Sequence, residues 1–61
     1  MDPDVTWAMI QDPSTHETTR LCLAMDLEDW LHRGGFPPVG IEPSVAMNTV
    51  TQVIRHRGRT I

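Results

Sequence analysis

The chain has 61 residues, of which 39% are hydrophobic and 21% charged, and its formal net charge is −3. A chain this short hides only about 60% of its unfolded surface, which excludes an enzyme-sized pocket and makes a stabilising partner an expectation. Cys22 is the only cysteine, so an internal disulfide is excluded, and no apolar run reaches the roughly 20 residues that span a membrane.

The N-terminal segment, residues 4–11, allows more than one structure. An Asp-Pro pair at residues 2–3 is typical of a helix start, and the apolar residues after it suit a short helix. The Val-Thr-Trp run that begins at Val5 equally suits a strand, or an arm that docks Trp7. We therefore predict that residues 1–13 form either a short helix or a mobile arm.

The strongest helix signal covers residues 15–33. Ser14 and Glu17 have the spacing of a capping box, in which the serine hydroxyl accepts from the third helical amide and the glutamate reaches back to the cap. After Arg33, two glycines and the Phe-Pro-Pro run of residues 36–38 end the helix. The pattern predicts a helix over residues 15–33 with Ser14 as its N-cap.

This helix carries apolar residues on two arcs. Viewed down the helix axis, the first arc contains Leu23, Ala24, Leu27, Trp30 and Leu31. Leu21 and Met25 form a second arc beyond Glu28. Because a lone amphipathic helix needs one apolar stripe, we expect this helix to bury two surfaces, as the middle helix of a bundle or a helix in a dimer does.

A second helix is predicted over residues 43–57, with Pro43 in its first turn and Gly58 as its stop. Between them, apolar residues recur at helical spacing at Ala46, Met47, Val50, Val53 and Ile54. Its β-branched residues make a strand the competing interpretation, but the spacing and both end signals favour a helix. We therefore expect a small all-α protein of two to three helices, with one domain over residues 1–61 that ends in a basic tail, residues 58–61.

Residues 34–42 are predicted to be a stiff connector between the two helices. Two prolines fix the backbone and Gly40 permits a turn. Its three apolar residues, Phe36, Val39 and Ile41, are expected to lie across the helices.

No group of residues has the spacing of a catalytic or metal site. His16, Cys22 and His32 lie at separate angles on one helix, and no Cys-x-x-Cys or His-x-x-x-His pair exists. Asp26, one turn from Cys22, disfavours the thiolate that a cysteine nucleophile needs. We therefore expect a non-enzymatic protein with no metal, no cofactor and no small-molecule substrate.

Partner binding is the function that the apolar residues favour. Trp is enriched at interface hot spots, and the chain has only three aromatic residues. The candidate partner-binding residues are Trp7, Leu21, Met25, Trp30 and Phe36. The expected partner is a second copy, in a homodimer, or a host protein. With no membrane segment and no signal peptide in the sequence, we expect a cytoplasmic protein.

Charge is segregated along the chain. Residues 1–42 carry eight acids and two arginines, for −6, whereas residues 43–61 carry three arginines and no acid, for +3. Two acids near the end of the long helix are expected to form ion pairs with the basic residues four positions later, Glu28 with His32 and Asp29 with Arg33. The second candidate function is DNA binding through the C-terminal arginines, Arg55, Arg57 and Arg59.

Residues 27–38, Leu-Glu-Asp-Trp-Leu-His-Arg-Gly-Gly-Phe-Pro-Pro, resemble a segment of short uncharacterised proteins of high-GC actinobacteria, their plasmids and phages. The resemblance implies a mobile-element accessory protein that modulates a host protein, and it brings no activity with it. The Gly-Gly-Phe-Pro turn of residues 34–37 is also similar to a turn in excisionase-type winged-helix regulators, which implies DNA binding. The acidic helix before this turn, and the helix predicted where that family has a wing, depart from its pattern.

Overall fold

A computed structural model describes residues 1–60, which form three α-helices: α1 (Pro3–Gln11), α2 (Glu17–His32) and α3 (Pro43–Arg55). The all-α prediction is confirmed, and no β-strand occurs in residues 1–60. Of the structures considered for the N-terminal segment, the short helix is the one that forms. The predicted basic tail, residues 58–61, lies partly outside the described residues. No helix in this part of the chain is long and apolar enough to cross a membrane.

Proline occupies the first helical position of both shorter helices. Asp2 caps α1, because its carboxylate accepts from the amides of Asp4 and Val5 at 3.0 and 3.3 Å. Glu42 precedes Pro43 at the start of α3, and its side chain makes no capping hydrogen bond. Proline suits this position because its missing N–H is one that a helix start leaves unpaired.

The start of α2 differs from the prediction, since His16 rather than Ser14 is the N-cap. His16 Nδ1 accepts from the amide of Thr18 at 3.1 Å. Ser14 instead donates twice to the Asp12 carboxylate, from its amide at 2.9 Å and its hydroxyl at 2.8 Å. The capping-box prediction is therefore wrong, because the carboxylate two residues earlier draws Ser14 into a local turn. The helix begins at Glu17, two residues later than predicted.

The helix α2 lies between the other two. Both α1 and α3 pack against it, and no Cα atom of α1 lies within 8 Å of α3 in the described chain. Side chains from all three helices meet in one core cluster, Ile10, Ala24, Leu27 and Val50. The helix α2 is the middle helix of the bundle, as one form of the prediction had it, and its buried apolar residues, Ala24 and Leu27, belong to the first predicted arc. The expectation that the second arc is also buried is wrong for Met25, which is 53% exposed, while Leu21 is half-buried.

One buried arginine joins the three helices. Arg20, on α2, is only 4% exposed. Its Nε, Nη1 and Nη2 atoms donate to the carbonyl oxygens of Ile10, Gly58 and Asp12 at 3.1, 2.7 and 2.8 Å. The Ile10 and Asp12 oxygens lie at the end of α1, where the last carbonyls lack helical partners and carry the negative end of the helix dipole. The Gly58 oxygen lies in the turn after α3, so a single guanidinium ties the end of α1 to that turn.

The turn after α3 fits closely against α2. Gly58 adopts a φ of +81°, and a Cβ there would lie 2.8 Å from the carbonyl carbon of Glu17 and 3.0 Å from the amide nitrogen of Leu21. A residue with a side chain would be strained by the backbone angle and blocked by the α2 backbone. The helix α3 ends at Arg55, three residues before the predicted stop, and Arg57 already turns the chain with a φ of +55°. The close fit of Gly58 against α2 allows its carbonyl to reach Arg20.

Candidate functional site

The two ends of the molecule differ in character. The loop end holds the start of α1, the end of α2, the connector and the start of α3, residues 1–5 and 28–45. The arginine end holds the link between α1 and α2, residues 9–20, and the end of α3 with the turn after it, residues 55–60. Both outer helices run antiparallel to α2, which follows from the bonds of Arg20 at the arginine end and of Asp4 at the loop end.

Trp30 holds the first half of the connector. Its Nε1 donates to the carbonyl oxygen of Phe36 at 2.9 Å, and the two rings meet edge to face with centroids 5.5 Å apart. Gly35 lies against the indole, where a Cβ would come within 2.5 Å of Trp30 Cδ2. The backbone is thereby fixed, while the Phe36 side chain is 65% exposed.

The helix α1 holds the second half of the connector. The amide of Val39 donates to Asp4 Oδ1 at 2.7 Å. Pro38 beside it is buried, and Gly40 turns the chain with a φ of +77°. The Val39 side chain is nevertheless 83% exposed. The expectation that the connector lays its apolar residues across the helices is therefore wrong for Phe36 and Val39, because their backbones are anchored and their side chains face outwards.

Exposed apolar side chains concentrate at the loop end. Within residues 1–60, seven large apolar residues are exposed, and five of them lie at this end: Met1, Val5, Phe36, Val39 and Val45. Residues 37–43 of the connector line a shallow, open depression of about 480 Å³. Clustered exposed apolar residues mark interaction sites on small soluble proteins more often than isolated ones do. The loop end is therefore the candidate functional site.

The predicted partner-binding residues do not share one surface. Trp7, Leu21 and Trp30 are half-buried, and both tryptophans pack against the core cluster. Met25 is exposed on the outer face of α2, and Phe36 is exposed at the loop end.

Sequence reasoning missed two of the exposed apolar residues at the loop end, Val5 and Val39, as candidates. One signal was present for Val39, because a valine between Pro38 and Gly40 in a short connector has little freedom to reach the core.

The two ion pairs predicted on α2 have different outcomes. Asp29 Oδ2 and Arg33 Nε lie 3.1 Å apart, so this pair is confirmed, although both side chains are more than half exposed. Glu28 and His32 do not come within 4.0 Å of each other in the described structure, so this pairing is wrong. An exposed pair at this spacing gains only about 0.5 kcal/mol, which the entropy of fixing two side chains offsets.

The arginine end carries the three residues predicted to contact nucleic acid. Arg55, Arg57 and Arg59 are all exposed. Arg59 Nε lies 4.0 Å from Glu17 Oε2, and within residues 1–60 no carboxylate lies within 4.0 Å of Arg55 or Arg57. At the same end, hydrogen bonds from the Ser14 amide and hydroxyl lower the pKa of Asp12 below its usual 3.8, and the charge of Arg20 lowers it further.

Other sites on the described surface offer little chemistry. A groove of about 280 Å³ runs between the end of α1 and α3, and Arg20 lines it with its guanidinium already bound to three carbonyls. Residues 1–60 contain no group of three or more His, Cys, Asp or Glu side chains placed to hold a metal ion. Comparison of the chain with protein-family models, with curated proteins and with solved structures finds no match.

Proposed function

We propose that this protein is a non-enzymatic interaction module that docks on another protein through its loop end. The observation that carries the proposal is the combination of fixed backbone and exposed side chain at Phe36 and Val39. Binding costs free energy when side chains and loops must be ordered. An anchor whose backbone is already held by Trp30 and Asp4 avoids part of that cost.

A host protein is the partner that we propose. What suggests this partner is the expected likeness of residues 27–38 to short proteins of actinobacterial plasmids and phages, which implies an accessory protein that modulates a host protein. The segment that carries the resemblance contains Trp30 and Phe36, which form the anchored half of the loop end.

Site-specific photo-crosslinking in the cells that produce the protein tests this proposal. A p-benzoyl-phenylalanine at position 36 or 39 is expected to give an adduct of the same mass from both positions. The matched control is position 19, because Thr19 is exposed on α2 near the arginine end. Adducts of equal yield from all three positions, or none from 36 and 39, would contradict the proposal, and an adduct of twice the chain mass identifies a second copy as the partner.

DNA binding is the second candidate function, and the charges of Arg55 and Arg57 support it, since neither lies within 4.0 Å of a carboxylate in the described chain. Arg59 faces Glu17, which leaves few arginines for phosphate contacts. A salt titration of duplex binding tests it, with an expected slope of log K against log salt of about −2 for two phosphate contacts. Absence of binding at low salt removes this candidate.

A further inference from the structure

We infer that the partner presents an apolar surface bordered by Lys or Arg side chains, one of which pairs with Glu42. This inference rests on the proposed function, because it describes what the loop end docks against. It follows from the charges that surround the exposed apolar residues there.

The loop end is strongly acidic. Its acids are Asp2, Asp4, Glu28, Asp29 and Glu42, and Arg33 is its one arginine, which gives a side-chain charge of −4. The arginine end carries Asp12 and Glu17 against Arg20, Arg55, Arg57 and Arg59, for +2. The separation of charge along the chain thus becomes a separation in space, with the apolar surface at the negative end.

Glu42 is the acid best placed to meet a cation. It lines the shallow depression of the connector together with Val39 and Ile41. Its side chain makes no capping bond at the start of α3. Asp29, by contrast, is paired with Arg33. A partner cation that reaches the connector therefore finds a carboxylate that makes no capping bond, close in the chain to the exposed side chain of Val39.

Charge and the distribution of exposed apolar residues together argue against a second copy as the occupant. A symmetric dimer through two loop ends would bring −4 against −4, and like charges across an interface disfavour it. A head-to-tail contact would place the loop end against the arginine end, where the exposed large apolar residue is Met9. In an antiparallel dimer two such contacts close the pair and their charges are opposite, but one exposed apolar residue offers little surface for the five at the loop end. A different protein with a basic rim avoids both difficulties.

A pair of matched peptides tests this inference in solution. One is an amphipathic helix with Leu on one face and Lys on the other, and its match carries Glu in place of Lys. Titrated into the isotope-labelled protein, the Lys peptide is expected to shift the amide resonances of Phe36, Val39 and Glu42. Its affinity is expected to exceed that of the Glu peptide by about tenfold or more, which corresponds to roughly 1.4 kcal/mol.

Two variants localise the charge effect. Glu42→Gln is expected to lower the affinity for the Lys peptide about fivefold, because one partly exposed ion pair is lost. The variant keeps the fold because Glu42 makes no capping bond. Glu17→Gln, at the arginine end, is the control and is expected to leave the affinity unchanged.

Equal affinity for the two peptides, failure of the Lys peptide to bind, or equal effects of the two variants overturns the inference. If positions 36 and 39 give a crosslink but any of these results is also obtained, the docking function stands. Only the inference that the partner surface is bordered by Lys or Arg side chains is then rejected. Loss of the crosslink rejects the docking function itself.

Discussion

Arg20 Nη1 donates to the carbonyl oxygen of Gly58 across 2.7 Å, which ties the first half of α2 to the turn that ends α3. The same guanidinium reaches the end of α1, and its bond to Gly58 spans 38 residues of sequence. Its positive charge faces three backbone carbonyls, and no carboxylate forms a salt bridge with it in the described chain. This bond arrangement makes Arg20 a structural residue.

Replacement of Arg20 is expected to be the most destabilising single change to a polar residue. Arg20→Met keeps much of the side-chain length but removes three hydrogen bonds to buried or part-buried carbonyls. We expect the free energy of unfolding, measured with urea, to fall by about 3 kcal/mol. The control is Arg33→Met, which breaks only the exposed pair with Asp29 and is expected to cost less than about 0.5 kcal/mol. Equal losses in the two variants would show that the Arg20 bonds add nothing.

The helices were predictable because their signals are local, whereas Arg20 and the loop end depend on contacts between distant residues. Pro43, the apolar spacing after it and Gly58 suffice to place α3 within two residues at its end. The role of Arg20 depends on where the ends of α1 and α3 meet, and no spacing in the sequence encodes that position. Likewise, Val39 is outward because Asp4, 35 residues earlier, holds its amide.

Gly58 and Gly40 form a natural pair for testing close packing. Both have positive φ, but a Cβ at Gly40 meets nothing within 4 Å, whereas one at Gly58 meets the backbone of Glu17 and Leu21. Gly40→Ala is expected to cost about 1 kcal/mol from backbone strain alone. Gly58→Ala is expected to lower the free energy of unfolding by at least about 2 kcal/mol more than Gly40→Ala does, since the turn must move away from α2 and from Arg20. Similar melting temperatures for the two variants would contradict the packing of Gly58.

A substitution at the N-cap of α2 is expected to stabilise the protein. Aspartate caps helices well, and its negative charge favours the positive end of the dipole. His16→Asp is therefore expected to raise the free energy of unfolding by about 0.5–1 kcal/mol. Ser14→Ala loses only an exposed bond to Asp12 and is expected to cost less than about 0.5 kcal/mol. The reverse order, with Ser14→Ala the costly change, would restore Ser14 as the cap.

The Asp12 carboxylate is expected to make the stability of the fold depend on pH in the acidic range. The pKa of its carboxyl in the folded protein lies below 3.8, chiefly because the amide and hydroxyl of Ser14 donate to it. A lowered folded-state pKa stabilises the protein above the ordinary pKa, and this stabilisation is lost as the pH falls through the folded value. Asp12→Asn should therefore be less stable than the wild type at neutral pH, and the two urea midpoints should converge below pH 3.8. A constant difference at every pH would contradict this assignment.

The bond from the Val39 amide to Asp4 Oδ1 is the tether that keeps the loop end in place. Asp4→Ala is expected to raise the hydrogen-exchange rate of the Val39 amide about tenfold, because a lost hydrogen bond of roughly 1.4 kcal/mol changes its opening equilibrium by that factor. The control is Asp2→Ala, which removes the α1 cap at a cost of about 1 kcal/mol without touching this bond. If the Val39 amide exchanges equally fast in both variants, its protection comes from the stability of α1 and the tether has no separate role. A selective effect of Asp4→Ala, followed by weaker crosslinking at position 39, would connect the rigidity of the loop to docking.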